Sequence, residues 1–376
     1  MFNIHDITRD EMMLKGTLKR KGYDWWWHSF TGVNKRTGKE KAFFIEYFLC
    51  NPAKSKSYPV LGQKPENKEK HMRPSYMMVK AGSWGKGKAQ LHRFFSWDDV
   101  CVKGNAPYAV MADDCYASET RLIGSVKVSR EEAKAHPEYM SDEGSMSWDL
   151  KVRKEIPFNV GYGASKFFRK IEAFEMYWHA EGMKTCYEGT VIYNGEEYEV
   201  SFDKSYGYAD KNWGRDFTSP WVWLSSNCMR SRLTGEKLTN SVFDIGGGCP
   251  KVYFVPLKRK LLGGFFYEGK EYEFNFSKFW MMPRTVFKFK EGENFVYWYV
   301  KQSNFKSIMV TVVKCDKKDM LLVNYESPDG EKRHNMLWNG GTGVGRVRLY
   351  KKTLRGPKLI DDIDVTHIGC EYGEYC

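Results

Sequence analysis

The sequence predicts an all-β protein, built as a barrel or a sandwich, and three observations carry that expectation. Short runs with strand patterning recur along the chain, whereas helical spacing is scarce. Asn194-Gly195 and Asp329-Gly330 supply the positive backbone angles of tight hairpin turns. Aromatic residues make up 16% of the chain, and aromatics favour strands and line apolar cavities.

The elements follow in order. Gly22–Phe30 (GYDWWWHSF) and Lys41–Leu49 (KAFFIEYFL) flank the turn NKRTGKE and read as a hairpin. Residues 51–75, rich in Pro, Lys and Asn, read as an exposed loop, with short strands after it at Tyr76–Lys80, Ala89–Phe95, Val100–Val102 and Tyr108–Met111. Ser129 and Glu132 stand at capping-box spacing, which predicts a short helix to about His136. Ser145–Val152 alternates like a strand. Phe167, Ile171, Phe174 and Trp178 are spaced as a helical or extended connector between halves. Thr190–Phe202 is the clearest hairpin, with Asn194-Gly195 at its turn. Strand patterns continue from Lys251–Pro256 to Asn335–Trp338 and Gly345–Lys351.

A short internal echo joins the halves. Trp25-Trp26-Trp27-His28-Ser29 precedes a Thr-Gly turn and then Glu46. Trp221-Val222-Trp223-Leu224-Ser225 likewise precedes a Thr-Gly turn and then Asp244. The 376 residues suffice for two domains, and the expected division is 1–188 and 189–376, two related barrels in tandem.

Charge and cysteine usage bound the function. The net charge of +12 permits weak association with an acidic membrane surface. Basic residues are interspersed with acidic ones and no nucleic-acid motif is present, so no nucleic-acid partner is expected. The first residues carry charges and no apolar run, no stretch is long and apolar enough to span a membrane, and nine Cys include no CxxC pair. A cytoplasmic protein with reduced thiols follows as the expectation. Cys and His do not cluster at metal spacing, so no metal is expected. Gly246-Gly247-Gly248 and Gly340-Gly341-Thr342-Gly343 lack the context of a phosphate loop or dinucleotide fingerprint; they read as barrel corners, and no cofactor is expected.

Tyr206–Asn227 (YGYADKNWGRDFTSPWVWLSSN) concentrates Gly and Pro breaks, tryptophans and charges in one segment, and reads as a turn that aims indoles and a carboxylate at one place. With Met176-Tyr177-Trp178-His179, Glu188-Gly189 and Asn194-Gly195 before it, the run Gly207-Tyr208-Ala209-Asp210-Lys211-Asn212-Trp213-Gly214, then Pro220 and Trp223, resembles the tocopherol cyclase-like proteins, a superfamily shared with carotenoid 1,2-hydratases. Gly369-Cys370-Glu371-Tyr372-Gly373 resembles their glutamate-glycine ending. Ser225 stands where Gln is expected and Cys228 where His is common, which leaves the polar side of the pocket open.

The resemblance implies two lipocalin-like antiparallel β-barrels with few short helices and, in catalytic members, acid-initiated chemistry on an isoprenoid double bond. Such a proton donor must stay protonated near neutral pH, and burial among aromatics has that effect. Asp244, alone on an apolar strand, is the first candidate donor, or an acid bonded to the glycines that follow. Asp210 is either a second donor or a cap on the amides of Asn212 and Trp213, with Lys211 paired to it or facing solvent. Tyr208 is placed to donate to a substrate oxygen. Trp213, Trp221, Trp223, Trp25 and Trp27 would face a ring or a cation, Ser225 and Asn227 would line the polar side, and Glu46 is the first-half counterpart of Asp244 or lies on the solvent face. His28 and His179 are bases or satisfied polar groups, and Glu371 is read as anchoring the tail across a barrel end. The expected ligand is a small lipophilic molecule, either a substrate or, in a non-catalytic carrier, a cargo.

Overall fold

The computed structural model describes residues 6–160, 166–252, 255–256, 260–323, 325–330 and 337–374. The expected strands at 251–256 and 335–338 fall partly outside the described residues, and so does the start of the chain.

Two twelve-stranded antiparallel sheets carry the fold, each a barrel or half-barrel. The first contains the hairpin Tyr23–Asn34 and Glu40–Cys50, then Tyr76–Ser83 and Ala89–Phe95 on one side and Met176–Tyr193, Gly144–Phe158 and Arg121–Val128 on the other. The second runs from Lys270–Phe274 through Lys260–Tyr267, Ser241–Gly248, Trp221–Ser226, Gly356–Gly373 and Leu337–Thr353 to Arg284–Glu291. Asn194 and Gly195 take the positive φ expected of the turn, at +48° and +81°. Ser129 caps the helix Arg130–Ala135 by accepting from the Glu132 amide.

Three expectations change. Gly207–Gly214 is a continuous strand, not a turn, and it bridges Tyr23–Asn34 and Met176–Tyr193. It therefore completes the first sheet instead of opening the second. The division at 188/189 falls inside the strand Met176–Tyr193, and the chain changes sheet between Gly214 and Trp221. The expected connector between halves is instead internal to the first sheet: the helix Lys166–Lys170 falls between Gly144–Phe158 and Met176–Tyr193, and Trp178 is already in the latter strand.

Three apolar clusters result: one inside each sheet and one between them. Trp26 and Phe30 point into the first sheet, while Tyr23, Trp25 and Trp27 point into the layer between the sheets. A strand covered on both faces needs large apolar side chains at successive positions, which is why GYDWWWHSF does not alternate. Trp221 and Trp223 enter the same middle layer from the second sheet, with Val222 and Leu224 facing its interior.

Candidate functional site

The middle layer holds the acids. Asp210 is on Gly207–Gly214, directly across from Trp27 in the neighbouring strand. Asp244 lies across from Ser225, and Glu371 across from Trp223. Period-two geometry turns Asp210 and Tyr208 to the middle layer and sends Lys211 and Trp213 to the other face. A lone acid at these positions is thus buried by the sheet facing it.

Indoles hold the carboxylates in place. Trp178 Nε1 donates to Asp210 at 2.9 Å, Trp223 Nε1 to Asp244 at 3.1 Å, and Trp221 Nε1 to Glu371 at 2.8 Å. Asn339 also donates to Glu371, and Trp84 Nε1 donates to Asn339 Oδ1 at 2.7 Å. The Tyr208 hydroxyl lies 3.1 Å from Asp210 and 3.3 Å from Asp244. A hydroxyl has one hydrogen, so it donates to one carboxylate and accepts from the other acid only when that acid is protonated. The bridging geometry thus fits a pair that keeps at least one proton. Glycines make room for the rings: a Cβ at Gly246 would stand 2.7 Å from the Trp178 ring, and one at Gly369 2.2 Å from that of Trp223. The glycine run at 246–248 is therefore not a corner but part of a strand, in which Gly246 beds an indole and Gly247 and Gly248 let neighbouring backbone pass close.

Electrostatics point the same way. Burial pushes the Asp210 carboxyl up to about 8 against the hydrogen bonds from Trp178 and Tyr208, with the charge of Glu371 adding to the rise. Burial, and after it the charge of Asp210, lifts Asp244 well above the usual carboxylate range. Glu371 rises to about 7, again chiefly through burial. Glu46 is fully buried, not on a solvent face; burial raises its carboxyl, and the Lys80 ammonium 3.1 Å away opposes that rise.

These shifts have a consequence for stability. Asp210 binds its proton more tightly folded than unfolded, so its contribution is full below about pH 4 and is lost as pH rises through about 8. Asp210→Asn is expected to flatten the fall in stability between about pH 4 and pH 8, by about 3 kcal/mol over the part that lies between pH 6 and pH 9. Urea unfolding at several pH values reads this directly. Parallel curves for the two proteins would mean that Asp210 is ionised in the folded state.

Not every candidate joins the acids. Trp213 is buried inside the first sheet, stacked on Tyr177 with ring centroids 5.4 Å apart. Lys211 pairs with Asp24, not Asp210, and its ammonium sits 3.7 Å from the Trp26 ring centroid. Asp210 does not cap a turn, because its carboxylate takes side-chain donors within a strand. Ser225 donates to the Phe243 carbonyl at 3.1 Å, and Asn227 to that of Gly207 at 2.8 Å, so Asn227 ties the two sheets together. Trp25 and Trp27 lie in the middle layer, Trp25 beside Tyr325 and Trp27 on Phe44. His28 is bonded to the Tyr187 hydroxyl at 3.0 Å and His179 lies 3.2 Å from Asp10, both away from the acid pair. Glu371, read as a tail anchor, and Trp178, read as connector, belong to the site. A lone acid in GCEYG and a Trp two residues into a strand were the signals for them.

Beside the acids an apolar cleft of about 80 Å³ is walled by Met176, Trp178, Trp221 and Leu262. Trp178 and Trp221 meet edge to face at 6.2 Å. Among the described residues no carboxylate lines the cleft; the indoles stand between it and the acids. No group of three or more His, Cys, Asp or Glu side chains is arranged to hold a metal among the described residues. No helix among them is long and apolar enough to cross a membrane.

The tocopherol cyclase-like family profile matches residues 129–373. No curated protein matches the sequence at a significant level. Solved structures with a similar chain path include an AttH-like protein from Nitrosomonas europaea, at 10% identity and TM-score 0.47 over 94% of this chain and 92% of that one. Kievitone hydratase from Nectria haematococca is similar at 9% identity and TM-score 0.48 over 100% and 93%. CghA, solved with Sch210972, is similar at 10% identity and TM-score 0.39 over 94% and 89%.

Proposed function

The chain belongs to the tocopherol cyclase-like family, and from that premise we propose that it is a cofactor-independent enzyme that protonates a double bond of a lipophilic, isoprenoid-like substrate. The outcome is cyclisation, hydration or isomerisation. The observation that carries the reading is the Asp210–Tyr208–Asp244 bridge, a buried acid pair held next to indoles. A carboxyl with a raised pKa keeps a proton to give at neutral pH. Burial in a dry layer is the source of that rise and also keeps water from a developing cation. Trp178 and Trp221 line the cleft, which is where a cation would be held. In this reading Trp178 turns away from Asp210 to let the double bond reach the acid. The substrate and the weak membrane-surface attraction remain part of the proposal, as does a cytoplasmic setting.

A second reading has its own support. The cleft is apolar and its described lining includes no carboxylate, as expected of a carrier that binds a lipophilic ligand unchanged. Incubation of the purified protein with a prenylquinol extract in deuterium oxide, followed by mass spectrometry, separates the two. The enzyme reading expects a product that has gained water, or an isomer carrying new deuterium. A ligand retained without chemical change transfers the assignment to the carrier. Neither product nor retained ligand would overturn both.

A further inference from the structure

A second constellation of titratable groups stands at the outer seam of the two sheets, away from the acid pair. Cys228 opens the strand Cys228–Ser231 and lies across from Thr366 of the long strand Gly356–Gly373. Against Leu337–Thr353 that long strand shifts register between Val365 and Ile368, which marks a β-bulge. His367 sits in the bulge with φ +51°, a left-handed conformation uncommon outside glycine and asparagine. The bulge brings its imidazole to two partners. Nε2 lies 3.0 Å from Glu40 Oε2, an acid that the first sheet supplies. Nδ1 lies 3.0 Å from Thr366 Oγ1, which itself donates to Cys228 Sγ at 3.2 Å. Tyr206 lies over the imidazole with ring centroids 4.4 Å apart.

The order is that of an activated nucleophile: a thiol, a base beside it, and a carboxylate that orients the base. Burial works against ionising Cys228, but hydrogen bonds from His367 and Thr366 and the charge of His367 outweigh it and hold the thiol below its ordinary range. Burial also disfavours the His367 imidazolium, and its contacts with Cys228 and then Glu40 overcome that. A groove of about 710 Å³ opens on Glu40, Thr366 and His367, with Trp84 as an apolar wall and Lys39 and Lys86 at a cationic rim. The groove has room for an organic molecule beside Thr366, His367 and Glu40, with the half-buried Cys228 next to that wall and not part of it.

We propose that Cys228, His367 and Glu40 form a nucleophilic site that takes α,β-unsaturated carbonyl compounds as covalent adducts. The Cys228 thiolate attacks the β-carbon and forms a C–S bond. The alkene π pair moves into the enolate, and the α-carbon takes the proton held on His367. Thiol and enone thus sum to a thioether, with no oxidant, reductant or further reactant. A polarisable sulfur suits this soft carbon centre, and the imidazolium supplies the proton that the enolate requires.

N-ethylmaleimide tests the proposal on the full chain, with adducts located by peptide mass spectrometry and the exposed Cys101 as internal reference. At pH 6.5 Cys228 is expected to react at least ~10-fold faster than Cys101, in keeping with its larger thiolate fraction. Glu40→Gln, at an exposed position, and His367→Asn, which suits a left-handed backbone, are each expected to slow Cys228 and move its pH profile upward. Cys101 should be unchanged in both and so reports on a general loss of structure. A Cys228 rate no greater than that of Cys101, or one indifferent to both substitutions, would overturn the proposal.

Discussion

Replacing both Asp210 and Asp244 with Asn is expected to lower turnover of the true substrate by roughly 10²–10⁴-fold while leaving ligand retention within a few-fold. Asn keeps the shape and the acceptor oxygen that Trp178 and Trp223 need, so packing in the middle layer changes little. What disappears is the acidic proton. The single variants should not contribute additively, because the Tyr208 hydroxyl couples the two carboxyls and a proton lost from one shifts the other. Each alone should therefore cost a large part of what the pair costs. Tyr208→Phe should leave both acids in place but uncouple them, which would show as a displaced acid–base midpoint in the pH–rate profile. Turnover of the double variant at the wild-type rate would end the acid-pair reading. Retained binding with no activity in either protein would favour the carrier.

How far the sequence reveals this arrangement depends on the residue. Asp244 and Glu46 are visible because a single carboxyl inside an apolar strand is unusual, and both are buried in the middle layer. Asp210 is visible as a residue but not in its setting. Gly207 and Gly214 suggest a turn, whereas in the structure they let the strand pass close to its neighbours: a Cβ at Gly214 would stand 2.1 Å from the Glu175 carbonyl oxygen. Trp213 shows the limit of reading a motif as one site, because alternate residues of a strand face opposite ways. Asp210 and Tyr208 belong to the layer between the sheets, and Lys211 and Trp213 to the interior of the first. Register also hides the setting of Glu371, which the lone acid in GCEYG marks only as a residue. Its contact with the acid layer depends on Gly356–Gly373 pairing with Trp221–Ser226, a partnership spanning much of the second sheet and marked by no local signal.

The same concealment covers Lys154, for which the largest effect on stability is expected. Its ammonium lies in the first sheet, 3.3 Å from Asp10 and 2.6 Å from Glu181, and it also pairs with Glu119. In sequence it sits in the charged run KVRKE, which carries no sign of burial. In the structure it is 4% exposed and three carboxyls depend on it. Burial alone would drive its proton off, but those carboxylates reverse the shift, first Asp10, then Glu181 and Glu119. Lys154→Met fills a similar volume and removes the only positive charge contacting Glu181 in these ion pairs. The expected loss is roughly 3–5 kcal/mol at neutral pH, the cost of leaving buried carboxylates unpaired. Without the ammonium the Glu181 and Glu119 carboxyls, already raised by burial, rise further, so stability falls with increasing pH and the variant should lie closest to wild type near pH 5. Adding Glu181→Gln should return part of the loss at pH 8, because it removes a charge whose compensation has gone. Unfolding curves at both pH values, for the single and double variants, check each step. A Lys154→Met protein as stable as wild type at pH 8 would mean that these acids are already protonated beside the lysine, and that the network is held by neutral hydrogen bonds instead of charge.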